Sequence, residues 1–187
     1  MVKAFWDYPE STHLVPSERH RRHVLPRYLL SDARDAARFD MLLGAEVDGA
    51  VVGAAAWIPP EAYPVSLRRQ VRQVLDLAPA LPWGWRSLRE AQRGQSANRD
   101  RHRAHPEHYY LRAIGVDPDA QSQGIGSSLI EPVLDLADEK RVGCFLQTAT
   151  SGNVSWYERL GFRVAEEYRP TDRWPVVWAM WRDPQLA

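Results

Sequence analysis

The feature that most constrains the fold of this chain is a pair of glycines where a strand-like run meets a helix-like run. Residues His108–Val116 form a dense apolar and aromatic run, and residues 126–140 have helical spacing. Gly124 and Gly126 stand at the junction. The first backbone N–H groups of a helix have no partner inside it. This layout therefore directs several free donors to one point, an arrangement that binds phosphate.

Three phosphate-binding patterns compete for this turn. A P-loop requires Gly-x-x-x-x-Gly-Lys-Ser/Thr, and no Lys follows Gly126. A dinucleotide fold requires Gly-x-Gly-x-x-Gly, and Leu129 stands where its third glycine belongs. The third pattern, Gln/Arg-x-x-Gly-x-Gly/Ala, is matched by residues 121–126. On its own this match is weak, because many such glycine pairs are only turns.

The composition indicates one ordinary globular domain, residues 1–187. A chain of 187 residues can bury one core and is short for two domains. Its formal net charge of +0 gives no attraction toward nucleic acid or an anionic membrane, so we expect neither partner. The single cysteine, Cys144, excludes an internal disulfide and a cysteine-based zinc site. No apolar run is long enough to cross a bilayer and no signal-peptide pattern is present, so we expect a cytoplasmic protein.

The apolar pattern predicts a mixed α/β domain with a central sheet. A helix over residues 18–39 is expected to break or kink at Pro26. A hairpin is predicted where two apolar runs meet at Asp48-Gly49. The remaining predicted elements, in chain order, are helices over 66–77 and 85–93, a loop over 94–106, the strand His108–Val116, a helix over 126–140, a strand over 142–148, a turn at 151–153 with a short helix after it, and strands over 162–168 and 176–181.

A second segment, residues 153–162, has the sequence Asn-Val-Ser-Trp-Tyr-Glu-Arg-Leu-Gly-Phe. Together with residues 121–126, it resembles the GCN5-related N-acetyltransferase (GNAT) family, and within that family the puromycin N-acetyltransferase-like members. The resemblance is strong over residues 109–162 and looser elsewhere. It implies the GNAT fold, a mixed α/β (α+β) fold with a central, mostly antiparallel twisted sheet and flanking helices. The family's first strand is expected to be missing, because this chain starts near the end of the helix that follows that strand.

The resemblance implies an enzyme that transfers an acetyl group from acetyl-CoA to the amine of a small molecule, by direct attack on the thioester and without a metal. The strand end Ile114, Gly115 and Val116 would pair with the pantetheine arm, and a backbone N–H there would stabilise a developing oxyanion. Asn153 and Ser155 are implied as further cofactor contacts. The implied contacts to the pyrophosphate are Gln121, Ser122, Gln123, Gly124, Ile125, Gly126 and Ser127.

Tyr157 is the candidate general acid for the departing thiolate. A tyrosine has a pKa of about 10, so its phenol keeps its proton at neutral pH and can deliver it. Without the family motif, Tyr157 would be interpreted as a core aromatic residue. The base that takes a proton from the amine is left open among Glu107, His108 and Tyr110. Gln147 stands where near relatives carry Glu, so that position supplies no base.

The acceptor pocket is expected to have aromatic walls and an acid that attracts a cationic amine. Trp57 is interpreted equally well as a core residue and as part of the wall of this pocket. The candidate substrate-binding residues are Tyr8, Trp57, Glu61 and Tyr110, with Pro60, Tyr63, Trp83 and Trp85 as neighbours.

Two alternative functions stay open at this point. A non-catalytic acyl-CoA-binding module is favoured by Gln147, and a protein or peptide N-acetyltransferase is disfavoured by the aromatic insert. A homodimer is a further expectation, because a missing edge strand leaves a sheet edge that a second copy can cover.

Overall fold

The computed structural model describes residues 1–63 and 65–185, apart from the side chains of residues 81 and 83–89. The helices are α1 (Val2–Phe5), α2 (Pro9–Leu14), α3 (Glu18–Ala37), α4 (Leu67–Leu77), α5 (Leu81–Ala104), α6 (Ile125–Lys140) and α7 (Ser151–Arg159). The strands are β1 (Leu42–Val47), β2 (Ala50–Ile58), β3 (His108–Val116), β4 (Gly143–Thr148), β5 (Arg163–Tyr168) and β6 (Val177–Arg182).

The strands form one six-stranded sheet in the order β1-β2-β3-β4-β6-β5. β3 and β4 are parallel, and the other neighbouring pairs are antiparallel. The predicted fold class, a mixed α/β domain with a mostly antiparallel sheet and flanking helices, is therefore confirmed. Among the described residues no strand pairs with the outer side of β1, so β1 is an edge of the sheet there. None of the described helices is both long enough and apolar enough to cross a membrane.

The main core lies between α6 and the centre of the sheet. Leu129, Ile130, Val133, Leu134 and Ala137 recur at helical spacing and form the buried face of α6. They pack against buried side chains of the central strands, among them Tyr109, Leu111, Cys144 and Leu146. This packing holds α6 along β3 and places its N-terminus at the end of that strand.

The expected break at Pro26 is wrong, because α3 runs without interruption from Glu18 to Ala37. Leu25 and Leu29 are buried on either side of the proline, with 6% and 4% of their surface exposed. Their packing holds the helix together although Pro26 removes one of its hydrogen bonds. The packing of α3 has thus overridden the tendency of proline to break a helix.

The loop predicted over residues 94–106 is also wrong, because α5 continues to Ala104. The segment looked like a loop because the side chains it buries are polar. His102 is 7% exposed and hydrogen bonds to His108, and Asn98 Nδ2 donates to Tyr110 Oη at 3.2 Å. Gly94 lies against the Trp174 ring, where an added Cβ would be 2.8 Å from Cη2. Similarly, residues 151–153 are the first turn of α7 and not a separate turn.

Candidate active site

The candidate site forms where the parallel strands β3 and β4 separate. Their pairing runs from His108–Gly143 to Leu111–Leu146 and ends there, although β3 continues to Val116. β3 carries an extra residue at this point, since Ala56 and Trp57 of β2 pair with Ala113 and Leu111. Arg112 is therefore a β-bulge, which bends a strand and ends regular pairing.

An ion pair in the interior holds this bulge in place. The Arg112 guanidinium donates from Nε to Oδ1 of Asp32 on α3, and their side chains are 14% and 4% exposed. Burial by itself lowers the pKa of Arg112, but the Asp32 carboxylate and the phenols of Tyr28 and Tyr63 raise it well above its ordinary value. Arg112 is thus a permanent cation that ties the bulge to α3.

A small cavity of about 80 Å³ lies in the gap between the two strands. The N-terminal segment, β3, the end of β4 and α7 all contribute to its wall. Its lining residues are Phe5, Tyr8, Glu10, Leu111, Arg112, Ala113, Ile114, Gln147, Thr148, Asn153 and Tyr157. Four of the predicted site residues, Tyr8, Ile114, Asn153 and Tyr157, are therefore brought together here.

Tyr157 is fixed on α7 with its phenol toward this cavity. The residue is 4% exposed, and its ring packs against Trp156 and Phe162. Burial raises the pKa of Tyr157 above its ordinary value, with a smaller contribution from Tyr8. The phenol therefore holds its proton at neutral pH more firmly than a tyrosine in water does.

Tyr8 connects the N-terminal segment to the end of β4. Its hydroxyl accepts a hydrogen bond from the Ala149 N–H at 2.6 Å and lies 3.2 Å from Thr148 Oγ1. Asn153 Nδ2 donates to the same Thr148 oxygen at 3.3 Å. Burial raises the pKa of Tyr8 to about 12. This network closes one side of the cavity with neutral hydroxyl and amide groups.

Glu10 is a residue of the cavity that the sequence did not indicate. It lies in the first turn of α2, and its Oε1 accepts a hydrogen bond from Trp174 Nε1 at 3.3 Å. Burial raises the pKa of the Glu10 carboxyl, and the Trp174 hydrogen bond opposes that change. Gln147 also lines the cavity, and its Nε2 donates to Tyr168 Oη at 2.9 Å. A carboxyl group thus lines the same cavity as Gln147, although it comes from another element.

The glycine turn before α6 has the geometry expected of a phosphate cradle. Ser122 and Gly124 have positive φ angles of 63° and 79°. The Ser128 N–H donates to Gly124 O at 3.1 Å, which closes the first turn of the helix. The N–H groups of residues 125–127 therefore have no acceptor within α6 and point out of its N-terminus. The turn is exposed, and an added Cβ at Gly124 would have no atom within 4 Å.

Two other glycines of the predicted cofactor site serve packing. An added Cβ at Gly126 would lie 3.1 Å from the ring of Trp156, so this glycine lets α6 approach α7. An added Cβ at Gly115 would lie 3.1 Å from Phe5, so that glycine lets α1 lie on β3. Ser155 is on the exposed side of α7 and does not line the cavity.

Two of the proposed bases lie at the opposite end of β3 from the cavity. His108 pairs with Gly143 at the start of the strand and is 5% exposed. Its Nδ1 lies 2.6 Å from Pro106 O and its Nε2 lies 2.7 Å from His102 Nδ1. Burial lowers the pKa of His108. Glu107 precedes it and is exposed. Neither side chain reaches the wall of the cavity.

Apart from Tyr63 and Tyr110, whose ring centroids are 5.9 Å apart, the described residues of the expected acceptor pocket lie at different places. Trp57 is fully buried in the core under α6, and Tyr110 is buried against α5. Glu61 is exposed in the turn Pro60–Ala62. Tyr63 stacks on His102 with the ring centroids 4.2 Å apart. The side chains of Trp83 and Trp85 lie outside the described part of the chain.

A model of the acetyltransferase (GNAT) family matches residues 2–162. The chain belongs to this family. Among curated proteins, an uncharacterised N-acetyltransferase of Schizosaccharomyces pombe is 36% identical over 56 residues, a match that spans 30% of this chain and 23% of that protein. The family match includes the glycine turn, the segment that carries Tyr157 and the N-terminal segment.

Solved GNAT structures share the fold at low sequence identity. A structure described as histone acetyltransferase HPA2 and related acetyltransferase, from Corynebacterium glutamicum, has a TM-score of 0.61 at 20% identity and covers 100% of this chain and 88% of that one. Arylalkylamine N-acetyltransferase 2 from Aedes aegypti has a TM-score of 0.58 at 12% identity, covering 98% and 91%. A Drosophila melanogaster polyamine N-acetyltransferase has a TM-score of 0.53 at 16% identity, covering 81% and 78%.

The cradle before α6 is testable with Gly124→Ala. An alanine at positive φ costs roughly 1–3 kcal/mol, so the turn of the variant relaxes away from the conformation seen for Gly124, and binding has to restore it; we expect about a tenfold loss in affinity for coenzyme A. Gly152→Ala is the matched control, because an added Cβ there has open space and Gly152 has no positive φ. Isothermal titration calorimetry measures the two affinities. Equal affinities for the two variants would contradict this role of Gly124.

Proposed function

We propose that this protein is an acetyl-CoA-dependent N-acetyltransferase that acetylates the amine of a small molecule. The observation that carries the proposal is the cavity between β3 and β4, where a phenol, Tyr157, and a carboxyl group, Glu10, line the same small space. Attack by an amine on a thioester needs a group that takes a proton and a group that gives one. Membership of the GNAT family supports the acetyl chemistry.

The residues of the chain fit acetyl-CoA at two places. The free N–H groups of residues 125–127, with the open turn 121–124, suit the pyrophosphate. The part of β3 beyond Leu111, with Ile114, Gly115 and Val116, has no partner in β4 and suits the amides of the pantetheine arm. Asn153, at the wall of the cavity, is proposed as a further contact. When bound, acetyl-CoA supplies an acetyl group activated as a thioester.

Tyr157 is the proposed general acid. Its phenol proton is held firmly because burial raises the pKa of the group. Desolvation in the same cavity also raises the basicity of a leaving thiolate, so the phenol is the proposed source of the proton that the thiolate takes up. Tyr8 lines the same cavity, but its hydroxyl is engaged by the Ala149 N–H and Thr148. The more available phenol is therefore that of Tyr157.

Glu10 is the proposed general base, in place of Glu107 and His108. A carboxylate with a raised pKa accepts a proton more readily than an ordinary one, and burial supplies that rise here. Trp174 Nε1 holds one carboxylate oxygen, Oε1, at 3.3 Å and leaves Oε2 for the amine or for a water molecule. The same negative charge attracts a protonated amine before it loses its proton.

The rest of the acceptor is proposed to occupy a larger cleft on the His13 side of Trp174. A cavity of about 80 Å³ admits an amino group and a few carbon atoms, so most of an acceptor must lie elsewhere. The Trp174 ring, whose indole nitrogen donates to Glu10, lies against His13 of a cleft of about 440 Å³, with the ring centroids 4.7 Å apart and the ring planes inclined at 51°. That cleft is lined by His13, Glu90, Arg93, Thr171, Asp172 and Arg173, which suits a polar or charged acceptor.

The presence of Glu10 disfavours a non-catalytic acyl-CoA-binding module, since such a module has no need of a buried carboxyl group beside Tyr157. The N-terminal segment disfavours a protein acceptor. Phe5, Tyr8 and Glu10 line one wall of the small cavity, and an extended peptide would need a longer open groove there. The cytoplasmic location and the likeness to puromycin N-acetyltransferase-like members remain parts of this proposal.

The proposed activity is tested with acetyl-CoA, a set of amines and a reagent that detects the released thiol. We expect thiol release with one class of small amine; the set includes polyamines, arylalkylamines, puromycin and short peptides. Cys144 does not consume the reagent, because it is buried and burial raises its pKa to about 12. Coenzyme A binding without thiol release would indicate a binding module, and release with peptides alone would indicate a protein acetyltransferase.

The acid is tested with Tyr157→Phe. We expect turnover to fall by roughly 10²–10⁴ with little change in KM, because the phenol acts on the departing thiolate and not on the bound substrates. Tyr8→Phe is the control, since it removes the other phenol of the same cavity. A large loss in Tyr8→Phe together with normal turnover in Tyr157→Phe would transfer the role to Tyr8.

The base is tested by the pH dependence of kcat/KM. A base acts only when deprotonated, so the rate should fall as the pH drops through the pKa of Glu10. Burial raises that pKa, so the fall should begin above the ordinary glutamate value of about 4.3. Glu10→Gln should lower kcat/KM by roughly 10²–10⁴ and abolish the acidic limb of the pH profile, which is the fall at low pH. Glu107→Gln, an exposed acid before β3 and away from the cavity, should keep the acidic limb; an unchanged limb in Glu10→Gln would exclude Glu10.

A further inference from the structure

Trp174 contacts the carboxyl group of Glu10 from a part of the chain that lies outside the family motifs. It belongs to the turn between β5 and β6, after the residues 2–162 that the family model matches, and it is 2% exposed. Its indole Nε1 donates to Glu10 Oε1 at 3.3 Å. Among the residues that the structure describes, no other group donates a hydrogen bond to this carboxyl group.

The indole ring is seated against a glycine of α5. An added Cβ at Gly94 would lie 2.8 Å from Cη2 and 2.9 Å from Cζ2 of Trp174, closer than a Cβ can approach. The ring also lies against His13, with the ring centroids 4.7 Å apart. The Trp174 N–H donates to Thr171 O at 2.9 Å, and the Trp174 carbonyl oxygen accepts from Arg169 Nη1 at 2.5 Å. These contacts fix the direction in which the indole N–H points.

We propose that Trp174 is a positioning residue for Glu10, which it orients and keeps ionised through its indole N–H. This inference rests on the proposed function, because it assumes that Glu10 takes the proton of the amine. An N–H that donates to Oε1 restricts rotation of the carboxyl group and leaves Oε2 for the amine or for a water molecule. The same hydrogen bond stabilises the charged form of the carboxyl group more than the neutral form.

An indole N–H suits this role better than a cationic donor does. Burial raises the pKa of Glu10, and the hydrogen bond from Trp174 opposes that rise. An arginine at this place would hold the pKa of the carboxyl group well below its ordinary value, and the carboxylate would then be a poor base. An indole only donates and adds no charge. Trp174 therefore favours the ionised carboxylate and leaves it able to accept a proton.

Four phenols around Glu10 keep their protons near neutral pH. They come from the N-terminal segment, α3, α7 and β5, and are those of Tyr8, Tyr28, Tyr157 and Tyr168. The Asp32 carboxylate raises the pKa of Tyr28 most, and burial raises the pKa of all four phenols. A phenol that holds its proton adds no charge, so these residues do not replace the hydrogen bond from Trp174.

The charged groups on the remaining sides of Glu10 are paired. Arg112 of β3 lines the same cavity and donates to Asp32, and Arg93 of α5 pairs with Glu90 in the larger cleft. His13 lies against the indole ring, and histidine is the side chain that titrates between about pH 5 and 8. A pH-dependent change at the Trp174 indole must therefore be assigned either to Glu10 or to His13.

Nuclear magnetic resonance on the isotope-labelled full chain makes this assignment. The indole N–H resonance of Trp174 is identified by its loss in Trp174→Phe. We expect this resonance to move with pH at the midpoint of the Glu10 titration, and to lose that movement in Glu10→Gln but not in His13→Gln. An indole resonance that moves in the same way in Glu10→Gln as in the wild type would overturn the proposal.

The pKa of Glu10 is measured from the resonance of its carboxyl carbon. We expect the midpoint to rise by roughly one pH unit in Trp174→Phe, because a hydrogen bond to the charged form is lost. Trp178→Phe is the matched control, since its Nε1 donates to Glu167 Oε2 at 3.0 Å on an exposed surface. An equal midpoint in Trp174→Phe and in the wild type would overturn the proposal. These measurements need no acetyl transfer, so failure of this proposal is distinguished from failure of the proposed enzyme activity.

Gly94→Ala tests the same link without removing the indole. The added methyl group must displace the Trp174 ring, whereas alanine favours a helix more than glycine does, so α5 should be kept. In the acetyl-transfer assay, Gly94→Ala and Trp174→Phe should both move the acidic limb of kcat/KM to higher pH and lower kcat by about tenfold, with KM for acetyl-CoA unchanged. Gly152→Ala, in open space on α7, should do neither. A lower kcat with an unmoved limb would show a merely structural role and would overturn the proposal.

Discussion

The separation of β3 from β4 is the constraint on which the rest of the site depends. Two parallel strands that continued to pair past Leu111 and Leu146 would leave no gap. The bulge at Arg112 ends the pairing, and the ion pair with Asp32 makes the bulge stable in the interior. Because α6 follows β3 and α7 follows β4, the same separation directs the glycine turn and Tyr157 to the two ends of one gap.

The N-terminal segment completes this gap, and it does so through packing. Gly115 leaves room for Phe5, and Tyr8 is held by the end of β4. The segment thereby brings Glu10 to the cavity that Gln147 also lines. A reaction needs a carboxylate at a position in space and not at a position in the chain, so a residue of α2 can supply the carboxyl group that Gln147 lacks.

Two of the helices are held to the rest of the domain by polar contacts. This explains where the spacing of apolar residues did not predict the structure. α5 docks through Asn98 and His102, and α4 docks through Arg69 and Gln73. Apolar periodicity therefore missed the second half of α5, and the apolar residues of α4 lie on its outer face. The buried groups are paired along these contacts, as polar side chains in an interior must be. The consequence at α4 is an apolar stripe on the outside of the molecule.

The sequence by itself determined the hairpin at Asp48-Gly49, the strand His108–Val116, the glycine turn and the family, because these depend on local periodicity, turn chemistry and short motifs. It also predicted Tyr157, Asn153 and Tyr8 as site residues, and the structure brings these three to one cavity. Only the tertiary structure decided that Glu10 shares the cavity with Tyr157, and that Trp57 and His108 do not. Burial and proximity of this kind arise when distant segments pack together, and the local sequence of one segment does not show which other segments it will contact.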